Sequence, residues 1–384
     1  MFTYQKNNRY FAQIARGLEE LGAKELAELG ASEVKPAYRG IYFSADTETL
    51  YRINYHTRLC TRILAPLLRF DCHSTKYLHK TAIKMDWSQL LSSRNTFAIN
   101  ATTANSNIRH SQYAGLTLKD AIADHFRDKY DSRPSVDTKN PDVWLNLRID
   151  RNKATISLDT SGGSLHRRGY RKETVEAPMQ ETVAAAMIQF TEWDGGDPLV
   201  DPMCGSGTIL CEALMHYCHI PAAYLRSRFG FEMMPDFDEA LWTQVKKDGN
   251  NKIRRLPKGL ISGSDKDSQA IAAAKTNCGM LPHGEKILLH TKQYQELDSI
   301  TNTCIVSNPP YGIRMERHEN MAGFIEKFGN FLKKRCPEST AYLYFGNPEL
   351  IKNIGLRTTW KKPLMNGGLS GILTKYRMGG KHER

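Results

Sequence analysis

From residue 178 onward the chain alternates short apolar runs with helical segments, and few architectures accept that pattern. "MQETVAAAMIQF" reads as a helix. "PLVDPMCGSGTILCEALMHYC" reads as strand, glycine turn and helix. "GLISGSDKDSQAIAAAKTNCG" repeats the pattern with an acidic turn, and Gly279 is expected to stop its helix. "KILLHTKQ" and "TCIVSNPPYG" are strands, "MAGFIEKFGNFLKKRC" a helix, and "STAYLYFG" and "LSGILTKYRM" the last strands. Such alternation predicts an α/β fold: a mainly parallel sheet with helices on both faces. Residues 219–258 carry no matching strand and read as an insertion.

The first 165 residues follow a different rule. "RYFAQIA" alternates as a strand, "GLEELGAKELAELG" is a helix that Gly30 should stop, and "KPAYRGIYFSAD" reads as a hairpin. An amphipathic helix with Leu50, Ile53, Leu59 and Ile63 runs into "RILAPLLRF", a strand with Pro66 at an edge or bulge. "TFAINATTANS" is a strand and "GLTLKDAIADHFRDKY" a helix. "DVWLNLRIDRNKATISLDTSG" is two alternating strands joined at "DRNK". This is a small α+β region ahead of the α/β one. "SLHRRGYRKETVEAP", which connects them, interrupts the periodicity. Its Arg167, Arg168, Arg171 and Lys172 surround Tyr170, and two readings stand: a solvated linker, or a cation–aromatic strip that binds a nucleic-acid strand.

With 384 residues, two or three domains are expected. Lys and Arg number 53 against 41 Asp and Glu, a net charge of +12, which favours a polyanionic partner, nucleic acid before membrane. No stretch has the length or hydropathy of a membrane span or a secretory leader. No membrane partner and a cytoplasmic location are therefore expected, with the eight cysteines as free thiols. Cys211, His216, Cys218 and His219 lie close in sequence, but their spacing is not that of a zinc finger. No metal is expected, and the cysteines at 211 and 218 suit packing along one helical face.

Two short motifs carry the chemistry. In "DPMCGSGT", Gly205 and Gly207 let the backbone approach a ligand at a helix start. The third glycine of a dinucleotide fingerprint is missing, since Leu210 stands there. Asp201 would repel a phosphate but tolerate an ammonium, and Asp265 in "GSDKD" can accept from both ribose hydroxyls. S-adenosylmethionine has those groups and no phosphate. In "SNPPYG", two prolines forbid a helix after an apolar strand. The Asn308 side-chain oxygen and the Pro309 carbonyl can each accept from an exocyclic amine, and Tyr311 can stack on the base.

Together, "DPMCGSGT" and "NPPYG" resemble the class I methyltransferases that act on exocyclic amines of nucleobases. Over nearly the whole chain the sequence is similar to the THUMP-domain RNA guanine-N2 methyltransferases, the bacterial large-subunit rRNA group above all. "RGLEELGAKEL" resembles that family's ferredoxin-like opening, and "SLHRRGYR" with "EAPMQETVAAAMI" its approach to the catalytic domain. The resemblance implies a ferredoxin-like module over 1–60, a THUMP RNA-binding domain over 61–165, and a Rossmann-like methyltransferase domain with a seven-stranded sheet over 166–384. It implies S-adenosylmethionine contacts from Asp201, Pro202, Met203, Cys204, Gly205, Ser206, Gly207 and Thr208, with Asp265 and Lys266, and Thr182 near the methionyl carboxylate. It also implies target-amine binding by Asn308, Pro309, Pro310 and Tyr311. Where the family places an acid for the adenine amine, Gln293 stands about there. The expected activity is N2-methylation of guanine in RNA, rRNA first, by a monomer or weak homodimer. The alternatives are a tRNA guanine-N2 enzyme, an adenine-N6 methylase of DNA and an inactive RNA-binding assembly factor.

Overall fold

Strand and helix periodicities in the amino-terminal half assemble one continuous sheet. The computed structural model describes residues 1–174, 179–310 and 321–379. Helix α1 (Thr3–Asn7) precedes β1 (Arg9–Ile14), α2 (Glu19–Glu28), β2 (Ser32–Ala37), β3 (Gly40–Ser44), α3 (Thr47–His56) and the long β4 (Cys60–Asp71). Then come α4 (Thr75–Ala82), β5 (Thr96–Ala104), α5 (Ser111–Tyr130), β6 (Ser135–Val136), β7 (Val143–Asp150) and β8 (Lys153–Asp159). The strands lie in the order β2-β3-β1-β4-β8-β7-β5-β6. Neighbours are antiparallel except where β5 meets β7 and β6. Strand β4 bonds to β1 on one side and β8 on the other.

Local chemistry explains the joints. Asp46 caps α3 by accepting from the Thr49 N–H at 2.8 Å. Arg151 and Asn152 take positive φ of 50° and 57°, the left-handed pair that a two-residue hairpin between β7 and β8 needs. Pro66 lies in a strand with neighbours on both sides, and the register against β8 shifts between Pro66 and Leu68. Of the edge and the bulge expected at that proline, it is the bulge that lets a residue without an N–H sit in mid-sheet.

The carboxy-terminal half contains α6 (Glu181–Thr191), β9 (Leu199–Asp201), α7 (Thr208–Tyr217), α8 (Glu239–Asn251), β10 (Ile261–Asp265), α9 (Ser268–Gly279) and β11 (Leu288–Thr291). It continues with β12 (Cys304–Ser307), α10 (Met321–Arg335), β13 (Thr340–Phe345), β14 (Trp360–Asn366) and β15 (Leu369–Arg377). The sheet order is β11-β10-β9-β12-β13-β15-β14. Strands β11 to β13 are mutually parallel, and β15 runs antiparallel to both β13 and β14. The order reverses at β9, which has β10 on one side and β12 on the other, so the ends of these three strands frame a ligand crevice. Helix α10 packs Ile325, Phe328 and Leu332 against Ile305, Leu343 and Tyr376 of the sheet.

Helix α9 ends at Gly279 as expected, and its cap is Met280, whose N–H bonds back to the carbonyls of Asn277 and Cys278. Strand β14 is absent from the pattern read above because "WKKPLMN" carries two lysines and Pro363. It is an edge strand, where a proline can face outward without breaking a ladder.

The contacts divide the chain into two units, 1–14 with 19–165 and 226–247, and 15–18 with 166–225 and 248–384. The first unit therefore includes most of the stretch read as an insertion. Phe229 and Phe231 stack at 4.9 Å between ring centres, with Trp242 of α8 edge-on to both at 5.2 and 5.1 Å. Tyr51 of α3 stacks on Phe231 at 4.4 Å. Arg226 donates to the carbonyls of Ser161 at 2.8 Å and Ser164 at 2.9 Å. Among the described residues, no helix is long and apolar enough to cross a membrane.

Candidate active site

Strand β9 ends at Asp201, and the chain reverses through residues 202–207 before α7 begins. Gly207 N–H closes the turn on the Cys204 carbonyl at 2.9 Å. Gly205 and Gly207 take φ of +52° and +82°. At Gly207 a side chain would be strained twice, because a Cβ would also stand 3.2 Å from the Ala274 Cβ of α9. The turn is tied to the next strand: Cys204 N–H donates to the Ser264 carbonyl at 2.9 Å, and Gly205 N–H to Asp265 Oδ2 at 3.0 Å. Asp265 Oδ1 accepts from the Asp267 N–H at 3.0 Å. Each Asp265 oxygen keeps a further lone pair, so the carboxylate can still accept two hydroxyls. Lys266 beside it is exposed, while Pro202, Ser206 and Thr208 are buried. Cys204 is buried as well, and burial pushes its thiol well above the ordinary range, so it is no nucleophile.

Asp201 is 1% exposed and accepts from Ser307 Oγ at 2.7 Å and from the Met203 N–H at 3.1 Å, both on Oδ1. The Ser307 bond fastens the end of β9 to the end of β12. Burial pushes the carboxyl from 3.8 up to about 7, against the pull of those two donors and with some repulsion from Asp265. The folded state thus holds this proton more tightly than the unfolded chain does. The resulting stabilisation is fully present below pH 3.8 and is lost as pH rises through about 7. Asp201→Asn keeps Oδ1 as acceptor and removes the titration. The variant's Tm should gain on wild type by several degrees, on the order of 5 °C, from pH 5 to pH 8. A constant difference across that range would disprove the assignment.

The elbow follows β12. Asn308 Oδ1 is fully buried and has no hydrogen-bond partner among the described residues. An amide oxygen left so costs about 1–3 kcal/mol, which a ligand's N–H would recover. Pro309 is buried and Pro310 half-buried. Tyr311 lies outside the described residues. At the other edge of the crevice, Gln293 is exposed two residues past β11, and its N–H donates to Glu296 Oε2 at 2.8 Å. Thr182 is buried in the first turn of α6.

The cation–aromatic strip behaves differently from both of its readings. Arg168 is 2% exposed and Tyr170 1%. Both donate to Glu212 Oε1 in the interior of α7, Arg168 Nε at 3.3 Å and the Tyr170 hydroxyl at 3.0 Å. Arg171 donates to the Met179 carbonyl at 2.7 Å and Thr208 Oγ1 at 3.1 Å, and pairs with Glu181 at 3.2 Å. A buried ring cannot stack on a base, so this corrects both the solvated-linker and the RNA-strip readings for Arg168 and Tyr170. Arg167 is the exposed member, and it lines an open cleft with Arg171, Gln180 and Glu181. The Cys–His stretch disperses too: Cys211 packs on Cys278 with sulfurs 3.6 Å apart, and His216 bonds the Trp193 carbonyl at 3.1 Å.

Residues that sequence reading passed over are Glu212, Asn277 and Ser307. The first two had a signal: each is a polar residue on the buried face of an apolar helix, a position that demands an internal partner.

A seven-stranded sheet in this order, with a glycine turn after the strand at which the order reverses, is that of the class I S-adenosylmethionine-dependent methyltransferases. The chain belongs to the RMKL-like methyltransferase-domain family, whose profile matches residues 168–375. A THUMP domain matches residues 72–159, and an RlmL ferredoxin-like domain 9–64. A Synechocystis protein described as a candidate RNA methyltransferase is 39% identical over 96% of both chains. The ribosomal RNA large subunit methyltransferase K/L of Syntrophotalea carbinolica is 35% identical over 96% of this chain. Only 53% of that enzyme is covered, so the chain spans about half its length. Among solved structures, SMU.472, described as a candidate methyltransferase and complexed with S-adenosylhomocysteine, is 25% identical with a TM-score of 0.84, over 98% of this chain and 99% of its own.

Proposed function

We propose that this chain transfers a methyl group from S-adenosylmethionine to the exocyclic N2 of guanine in RNA, large-subunit rRNA first. The buried Oδ1 of Asn308 carries the reading, because it is an acceptor for which no described residue supplies a donor. S-adenosylmethionine, when bound, supplies an electrophilic methyl group on sulfonium. The residues fit that cofactor better than a dinucleotide. Two acids, Asp201 and Asp265, stand at successive strand ends, and Asp265, joined by Asp201 once that group ionises, would repel a pyrophosphate. In this reading Asp265 takes the ribose hydroxyls, Asp201 faces the methionyl ammonium, Thr182 lies near the methionyl carboxylate and Gln293 serves the adenine amine.

Asn308 Oδ1 and the Pro309 carbonyl accept from the target amine and increase electron density on its nitrogen. Two prolines keep those acceptors from turning away. Tyr311 stacks on the base. The amine gains positive charge as the bond forms and loses its proton afterwards, so no strong base is needed. The elbow by itself fits adenine as well as guanine. The THUMP match and the rRNA activity named for a relative favour RNA.

Incubation with labelled S-adenosylmethionine and separate rRNA, tRNA and DNA tests the proposal, with the labelled nucleoside mapped afterwards. N2-methylguanine in rRNA is expected, and methyladenine in DNA would refute it. A phosphate-based grip by a chain of net charge +12 also predicts that RNA affinity falls by at least about tenfold from 50 to 200 mM salt. A flat filter-binding curve over that range would count against an RNA substrate.

A further inference from the structure

We propose that Asn277 is a positioning residue that sets the cofactor turn, acting by fastening the segment before α6 to it. The inference rests on the reading of Asp201–Thr208 as the cofactor seat. Asn277 sits on α9 at 1% exposure, on the stripe formed by Ala270, Ala273 and Ala274. Its Oδ1 accepts from the N–H groups of Lys172 at 2.8 Å and Glu173 at 3.0 Å. Its Nδ2 donates to the carbonyls of Glu173 at 2.9 Å and Ser206 at 3.0 Å. Both donors and both acceptor sites of the amide are therefore used, all on backbone.

Those backbone groups belong to segments outside any helix or strand. Residues 172–173 have no ladder partner, and Ser206 lies in mid-turn between the two glycines. Asn277 supplies the bonds that secondary structure would otherwise supply. The same helix forms the wall against which Gly207 is pressed, with Ala274 and Cys278 in its path. Arg171, the residue before the fastened pair, reaches Thr208 Oγ1 at 3.1 Å. The turn is thus held at its centre by Asn277 and at the start of α7 by Arg171. A turn held this way does not have to be ordered when a ligand binds, and cofactor affinity gains directly.

Asn277→Asp tests the idea with almost no change in volume. It keeps the acceptor oxygen, removes both donors and sets a second oxygen against two carbonyls. The KM for S-adenosylmethionine and the Kd for S-adenosylhomocysteine should rise about tenfold, while kcat at saturating cofactor stays within about twofold. Asn277→Ala should show the same split and serves if the aspartate variant does not fold. A residue that merely held the fold together would instead lower Tm and the active fraction, hence apparent kcat, with KM unchanged, and that result overturns the proposal. Asp265→Ala is measured alongside. If it weakens S-adenosylhomocysteine binding and neither Asn277 variant does, the positioning role fails alone. If Asp265→Ala has no effect on binding, the assignment of the turn as the cofactor seat fails first.

Discussion

Asn308→Ala is expected to lower kcat for methyl transfer by about 10²–10³-fold while leaving the Kd values for RNA and S-adenosylhomocysteine within about twofold. The residue is held by the strand before it and the prolines after it, and its Oδ1 is buried without a partner among the described residues. Removing that oxygen takes nothing from the core, because no donor among the described residues depends on it. What is lost is an acceptor whose interaction strengthens as the amine becomes positive, so the loss falls on the transition state. Asn308→Asp, which keeps an acceptor oxygen, should recover part of the rate. Single-turnover kinetics on an rRNA fragment would decide it. A drop confined to KM for RNA would mean that Asn308 grips substrate without assisting the chemistry.

Arg168→Ala is expected to destabilise the carboxy-terminal unit by about 3–5 kcal/mol, on the order of 10 °C in Tm. Arg168 and Glu212 are both buried and pair at 3.3 Å, with Glu212 in the middle of α7. Deleting the guanidinium leaves the carboxylate buried, with the Tyr170 hydroxyl still donating to its Oε1 at 3.0 Å. One buried charge without its counter-charge is far costlier than neither. The double change Arg168→Met with Glu212→Leu should therefore return much of the lost stability. Thermal melts of the three variants test this, with RNA binding measured alongside. If Arg168→Ala leaves Tm unchanged and weakens RNA binding alone, the residue is an RNA contact after all and the buried pairing is not what matters.

The contrast between "SNPPYG" and "SLHRRGYR" shows where a sequence can be read directly. Consecutive prolines constrain φ and remove N–H donors wherever they occur, so the elbow's shape follows from composition alone. Arginines beside a tyrosine have no such built-in geometry. They can face water or a buried carboxylate with equal local propensity, and here Glu212, forty-two residues further on in the chain, is the partner of Tyr170. Pro66 was legible as an edge or bulge position for the same reason the elbow was, and the assembled sheet made it a bulge. Strand β14 was not, because its lysines and proline are permitted only by its edge position, which is a property of the assembled sheet.

By itself, then, the chain's order of residues determined the class of fold, the glycine turn, the proline elbow and the two strand-end acids. Each depends on backbone restriction or on a period a few residues long. Only the tertiary structure decided which polar groups meet: Ser307 with Asp201, Arg168 and Tyr170 with Glu212, Asn277 with the turn and the segment before α6. Those pairings join residues far apart in the chain, and burial, which a linear pattern does not encode for a single polar side chain, is what makes each of them necessary.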